Sequence, residues 1–153
     1  MPPVRARLAE LGLTLPPVSP PRGVYVPAVH SGTLVHVAGQ VPMVAGNVVT
    51  TGRVGAEITP AEAAELSRRC ALAALAAVDA LADLDRLARV VRVAGYVASA
   101  PGFGAQFDVV AAAVDLFSAV LGSPGRSVCT AVGVPDLPLS APVEIEVTVE
   151  LAE

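Results

Sequence analysis

The groups in this chain with the chemistry of a site are two thiols, two imidazoles and a short run of acids. Cys129 stands in "GRSVCTAVGV" (125–134), a valine-rich strand leaving a glycine-rich turn, and Glu144, Glu146 and Glu150 alternate with apolar residues in "VEIEVTVE" (143–150). A thiol becomes a nucleophile when a cation or a helix N-terminus lowers its pKa. A nearby carboxylate does the opposite unless it accepts the thiol proton, so Cys129 reads as a nucleophile, as a thiol that only contacts a ligand, or as a small filler. The acids read either as one acid/base group or as the solvated face of an amphipathic strand. His30 and His36 fall at β positions, as bases or as packed or surface residues. Alternation puts Cys129 on one face with Ser127, Ala131 and Gly133, all small, as a cavity lining or a tight helix contact would require. The opposite face, Val128, Val132 and Val134, is then expected against the core.

The elements that must position these groups are legible in order. Six prolines (Pro2, Pro3, Pro16, Pro17, Pro20, Pro21) surround a helix-like patch, Val4 to Leu11, which marks residues 1–22 as an arm or edge covering. "YVPAVHSGTLVHVAGQ" reads as a hairpin split at His30-Ser31-Gly32, and "AGNVV" as a turn with Gly46-Asn47 at its tip. Thr59-Pro60-Ala61-Glu62 is a capping box opening an alanine-rich helix expected to reach about Leu84. Cys70 falls on its apolar stripe and reads as core. A strand over Arg86–Ser99, a helix over Gln106–Leu121 stopped by Gly122, and the strands at 125–134 and 143–150 complete the order β-β-(β)-α-β-α-β-β. This predicts an α+β fold with two helices on one face of a mixed sheet.

Composition narrows the function. Ten basic residues are all arginine, so a lysine Schiff base, covalently held PLP and a phosphate-loop lysine are excluded. Net charge is −4 with no Trp, two Tyr and three Phe, which suits neither phosphate-backbone binding nor base stacking. The cysteines have no CxxC spacing, and with two distant histidines they form a poor metal set. The longest uncharged stretch, Gly23 to Gly52, holds five Gly and two Pro and does not suit a membrane-spanning helix. No secretory signal is legible at the N-terminus. The expectation is a cytoplasmic chain with two free thiols and no cofactor. With 54% hydrophobic residues and a mean hydropathy of +0.64, it should bury surplus apolar surface against copies of itself.

"GVYVPAV" (23–29), "AGQVP" (38–42), "TGRVG" (51–55), "SAPGF" (99–103) and "AVGVPDLPLSAPVEIE" (131–146) together resemble the RidA/YjgF/UK114 superfamily, in the subgroup labelled "endoribonuclease L-PSP, chorismate mutase-like". The resemblance covers nearly the whole chain, with residues 23–153 as the RidA-like domain. It implies a chorismate-mutase-like fold, a homotrimer with sites at the subunit clefts, and cofactor-free hydrolysis of small imines or enamines. An arginine would clamp the substrate carboxylate and a glutamate would position water. That glutamate matches Glu144; the clamp position holds Cys129, and the polar "NGAS" of the family reads Ala111-Ala112-Ala113-Val114. Arg126 replaces the clamp only if a bulge follows it, and is otherwise a solvated turn residue. Tyr25 and Phe103 are expected as cleft walls or packing residues, and Gln40 as a substrate contact that also satisfies backbone groups. The expected function is a diverged small-molecule enzyme on an imine, enamine or carbonyl intermediate, with Cys129 as nucleophile, in specialised metabolite biosynthesis. The alternative is a non-catalytic ligand-binding or protein-interaction trimer. Nuclease activity is not expected. The Ala/Val/Arg/Pro bias without lysine fits a GC-rich bacterial genome.

Overall fold

The computed structural model describes residues 2–153. In chain order it contains α1 (Val4–Glu10), β1 (Ala28–Ser31), β2 (Leu34–Gln40), the short pair β3 (Met43–Val44) and β4 (Asn47–Val48), α2 (Pro60–Leu81), β5 (Leu87–Ala98), α3 (Gln106–Leu121), β6 (Val128–Val134) and β7 (Val143–Leu151). The main sheet has the order β1-β2-β7-β5-β6. Every pairing in it is antiparallel except β5 with β6, which α3 joins as a crossover. The expected α+β class and mixed sheet are what the chain adopts. Among the described residues no helix is long and apolar enough to cross a membrane.

Local chemistry explains where the helices begin and end. The Thr59 hydroxyl accepts from the Glu62 N–H at 3.2 Å, and the Glu62 carboxylate accepts from the Thr59 N–H at 2.8 Å, so the predicted capping box is formed. Those bonds hold the Glu62 carboxyl below its ordinary range. The helix stops at Leu81, three residues before the expected end. A 3₁₀ turn, Leu84–Arg86, follows, held by the Asp83 carboxylate, and Leu84 turns fully into the core there. The two hairpin tips also differ from expectation. The first turn is Gly32-Thr33, leaving His30 and Ser31 in β1. The second is Ala45-Gly46, both with positive φ as a type I′ turn requires, and Asn47 begins β4.

The proline-rich N-terminal segment is built into the same core. Val4 and Leu8 on α1 are 2% and 4% exposed and belong to the main apolar cluster. Burying a side chain of that size stabilises by about 1.5–3 kcal/mol, whereas a seven-residue helix has little stability of its own. Arg5 pairs with Asp79 on α2, and the Arg7 Nε donates to the Ala119 carbonyl at 3.1 Å. The two long helices cover one face of the sheet. Gly95 on β5 lets α3 approach: a Cβ there would stand 2.9 Å from the Val110 Cβ, with both Val110 methyls nearer.

Register defines the two faces. Toward the helices point Val37, Val147, Val93 and Cys129 in one cross-strand row, then Ile145, Gly95 and Ala131. Away from them point Val29, His36, Thr148, Arg92 and Val128 in one row, then Glu146, Ala94 and Thr130, then Glu144, Tyr96 and Val132. The expected orientation of β6 is therefore reversed. Val128 and Val132 are 65% and 42% exposed on the open face, while Cys129 and Ala131 pack against the core. Sequence alternation separates two faces, but it does not say which one the helices cover.

Candidate functional site

Glu144 lies on β7 beside the β2 bulge between Val37 and Gln40, where the ladder register shifts. The bulge places Gly39 against it: a Cβ at Gly39 would stand 2.8 Å from the Glu144 Cδ and 3.1 Å from its Cγ, with Oε1 nearer still. Only a glycine leaves room for the carboxyl there. The residue was missed in the sequence, although a glycine inside a strand pattern is the signal of such a close approach. The half-buried Glu144 carboxyl is raised above the usual carboxylate range, first by burial and then by the neighbouring Glu146.

A cavity of about 170 Å³ opens over Glu144. Tyr25 and Gln40 line it too, so three of the expected site residues are brought together. Gln40 donates from Nε2 to the Ala38 carbonyl at 3.0 Å, the backbone role expected of it, while facing the cavity. Leu139 forms part of the wall, in a loop where Leu139 and Ser140 both have positive φ (59° and 55°). Such conformations cost of order 1–3 kcal/mol each and persist only when the surroundings impose them. Here Gly52 donates to the Ser140 carbonyl at 3.1 Å. Arg53 holds the other end through the Pro135 carbonyl at 2.8 Å and Asp136 at 3.2 Å. The quoted "TGRVG" motif contains both anchors.

The remaining expected residues lie elsewhere. Cys129 faces the helix layer and Glu144 the open face, so one protomer does not pair them as nucleophile and base. Burial raises the Cys129 thiol, outweighing the lowering effect of Arg92. Cys70 is fully buried on α2 and its thiol is pushed far up, as a core residue requires. Phe103 packs on Gly55, where a Cβ would meet its ring at 3.1 Å, and does not line the cavity. Arg126 is exposed at the turn before β6, with no bulge in the β5–β6 register to redirect it, and also lies outside the cavity. His36 Nδ1 meets the Thr148 hydroxyl at 3.3 Å on the open face, and His30 is exposed on β1. Ser19, Arg22 and Met43 line the cavity from outside every motif quoted from the sequence, and Leu139 lies inside one without being singled out. Nothing in local pattern marks them, because a Pro-rich arm and a distant loop meet only in the fold.

Residues 17–151 match the profile described as "Endoribonuclease L-PSP". The chain belongs to that family, the RidA/YjgF group. It is 41% identical over 150 residues to Protein TCP17 of Trypanosoma cruzi, covering 97% of this chain and 94% of that one. A crystal structure of a protein of unknown function from Agrobacterium tumefaciens is 41% identical, superposes with a TM-score of 0.88, and covers 98% of this chain and 92% of its own. The YjgF gene product of E. coli shares the fold with a TM-score of 0.61 at 22% identity, over 87% of this chain and 92% of its own.

Proposed function

We propose that this chain is a cofactor-free RidA-like enzyme that hydrolyses a small reactive imine or enamine, with Glu144 as its proton-transfer group. The observation that carries this reading is the Glu144 carboxyl itself. It is half-buried, raised in pKa, and seated by Gly39 at the wall of a small cavity with Tyr25 and Gln40. A carboxyl raised in pKa keeps its proton to higher pH than an ordinary carboxylate and can return it, which is what hydrolysis of a C=N bond needs. In the protonated form Glu144 donates to the imine nitrogen, or to the β-carbon of an enamine, making the carbon electrophilic. The resulting carboxylate accepts a proton as water adds its oxygen to that carbon. Collapse of the carbinolamine breaks the C–N bond: the nitrogen takes a proton from Glu144 and leaves as ammonia, the hydroxyl proton passes back to the Glu144 carboxylate, and a carbonyl compound remains. Cys129 supplies no step in this scheme and fills space beneath α3.

The assembly we propose is a homotrimer closed over the open sheet face. Val29, Val128 and Val132 on its edge strands are 51%, 65% and 42% exposed, and Val24 beside the cavity is fully exposed. Such valines are the apolar rim a self-associating surface would bury. A polynucleotide substrate fits poorly: net charge is −4, and the open face carries Glu144 and Glu146. The free thiols suit a reducing cytoplasm.

The second reading, a ligand-binding trimer without turnover, is favoured by the displacement of Cys129 and Arg126 from the cavity. Release of ammonia and carbonyl product from imines generated in situ separates the two. Turnover that falls about 10²-fold or more in Glu144→Gln supports the enzyme. No turnover by the intact protein across aliphatic and aromatic imines leaves the binding reading.

A further inference from the structure

We infer that the cavity between the proline-rich arm and α2, next to the Glu144 site, is a second ligand site that takes a phosphomonoester with a compact apolar body. This goes beyond the proposed function and does not rest on it, because neither Glu144 nor Gln40 lines that cavity. Its volume, about 680 Å³, is that of a small-molecule site. The ionisable groups in its wall are two guanidiniums, Arg22 from the arm and Arg69 from α2, and no acid lines it. A chain of net charge −4 thus gathers two positive charges in one concave space. Among the described residues neither arginine makes an ion pair, and the Arg69 guanidinium makes no hydrogen bond. Glu65, one turn before Arg69 on α2, lines an adjoining cavity and does not pair with it either. The one hydrogen bond of the Arg22 guanidinium goes to the Gly46 carbonyl at 3.4 Å. Gly46 lines this cavity and not the one over Glu144, so Arg22 is turned to this side of the arm.

The charge of the wall sets the class of ligand. Two cations without a counter-ion are balanced by a dianion, whereas a single carboxylate would leave one of them unmatched. A phosphomonoester carries about −1.5 to −2 charges at neutral pH and presents three acceptor oxygens. Guanidinium planes bind such a group through paired N–H donors. The hydroxyls of Thr14 and Ser19 line the same space and are further donors. Leu15, Val18, Met43 and Val44, with the prolines of the arm, make the rest of the wall apolar. Pro20 and Pro21 fix φ for the two residues before Arg22, so less backbone freedom is lost when that arginine takes up a ligand.

The test measures binding without turnover. Phenyl phosphate, a dianion at about pH 8, is titrated into the full-length protein by calorimetry or NMR at fixed ionic strength. Phenyl sulfate, alike in shape with one charge less, and inorganic phosphate, which lacks the ring, are the controls. The intact protein should bind phenyl phosphate saturably and prefer it to either control by about tenfold or more, the worth of a charge-assisted hydrogen bond or a buried ring. Arg22→Gln and Arg69→Gln should each weaken phenyl phosphate about tenfold and erase most of the preference over the sulfate. Arg22→Lys and Arg69→Lys should retain part of both. The two side chains are exposed, so these variants should unfold at the wild-type temperature. Arg68→Gln, on the same helix but outside this cavity, should bind as the intact protein does. Absence of saturable phenyl phosphate binding, equal affinity for either control, or an equal loss in Arg68→Gln overturns the site. So does affinity that survives both glutamine variants. Loss in Arg22→Gln with none in Arg69→Gln would place the ligand over Glu144 and refute the second site. Because no chemistry is read, the result stands apart from the imine assay.

Discussion

Gly39→Ala isolates the geometry on which the proposed chemistry depends. The backbone at Gly39 does not require positive φ, so the change acts through volume alone. The new methyl would stand 2.8 Å from the Glu144 Cδ and 3.1 Å from Cγ, where ordinary contact begins at 3.4 Å. The obstacle is a flexible side chain with an open cavity beside it, so the carboxyl swings away and the strand stays paired. The stability cost should then sit at the low end for overpacking, about 1 kcal/mol. The catalytic cost should be much larger, since a misplacement of about an ångström in a reacting group is worth about 10²-fold in rate. Ammonia release at saturating substrate and thermal unfolding, measured on the same samples, separate the two effects. A double-mutant cycle with Glu144→Ala completes the experiment: once the carboxyl is gone, the methyl should have nothing to displace, and the Gly39→Ala penalty on Tm should vanish. Full activity in Gly39→Ala would refute the positioning of Glu144. An unchanged Tm penalty in the Glu144→Ala background would show that the methyl strains the backbone instead.

Three further outcomes follow from the same structure. The raised Glu144 pKa means the folded state holds that proton more tightly than the unfolded chain. Its contribution is complete below the ordinary carboxyl value and is lost as pH rises through the raised one, so Glu144→Gln should gain stability over wild type only above that window, and an equal difference at all pH would contradict the burial of the group. Cys129→Ala should keep full turnover and lose about 1 kcal/mol of stability, as removal of a small packed group does; alkylation of the intact protein by iodoacetamide should be slow, and rapid labelling with loss of activity would restore the nucleophile. Light scattering should give three times the 15.4 kDa chain mass, and Val128→Asp with Val132→Asp should dissociate it; a monomeric wild type would refute closure of the open face.

What the sequence by itself determined is everything that depends on neighbours along the chain. The Thr59–Glu62 capping box, the glycine stop after Leu121, the valine runs of β5 and β6 and the alternation of β7 are local, and each stands within a few residues of where the pattern puts it. The motifs from Gly23 to Glu146 likewise carried family, fold class and the singling-out of Glu144. Local pattern could not decide which side of an edge strand the helices take. Val128 and Val132 look like core in sequence, yet it is the small residues Cys129 and Ala131 that pack against the core on the helix side, with Gly133 against Gln106 at the start of α3. Nor could it show that the arm at Arg22, the bulge at Gly39 and the strained loop at Leu139 converge on one carboxyl. Those residues are more than a hundred positions apart at the extremes, and only the closing of the β2–β7 ladder beneath the arm makes them neighbours.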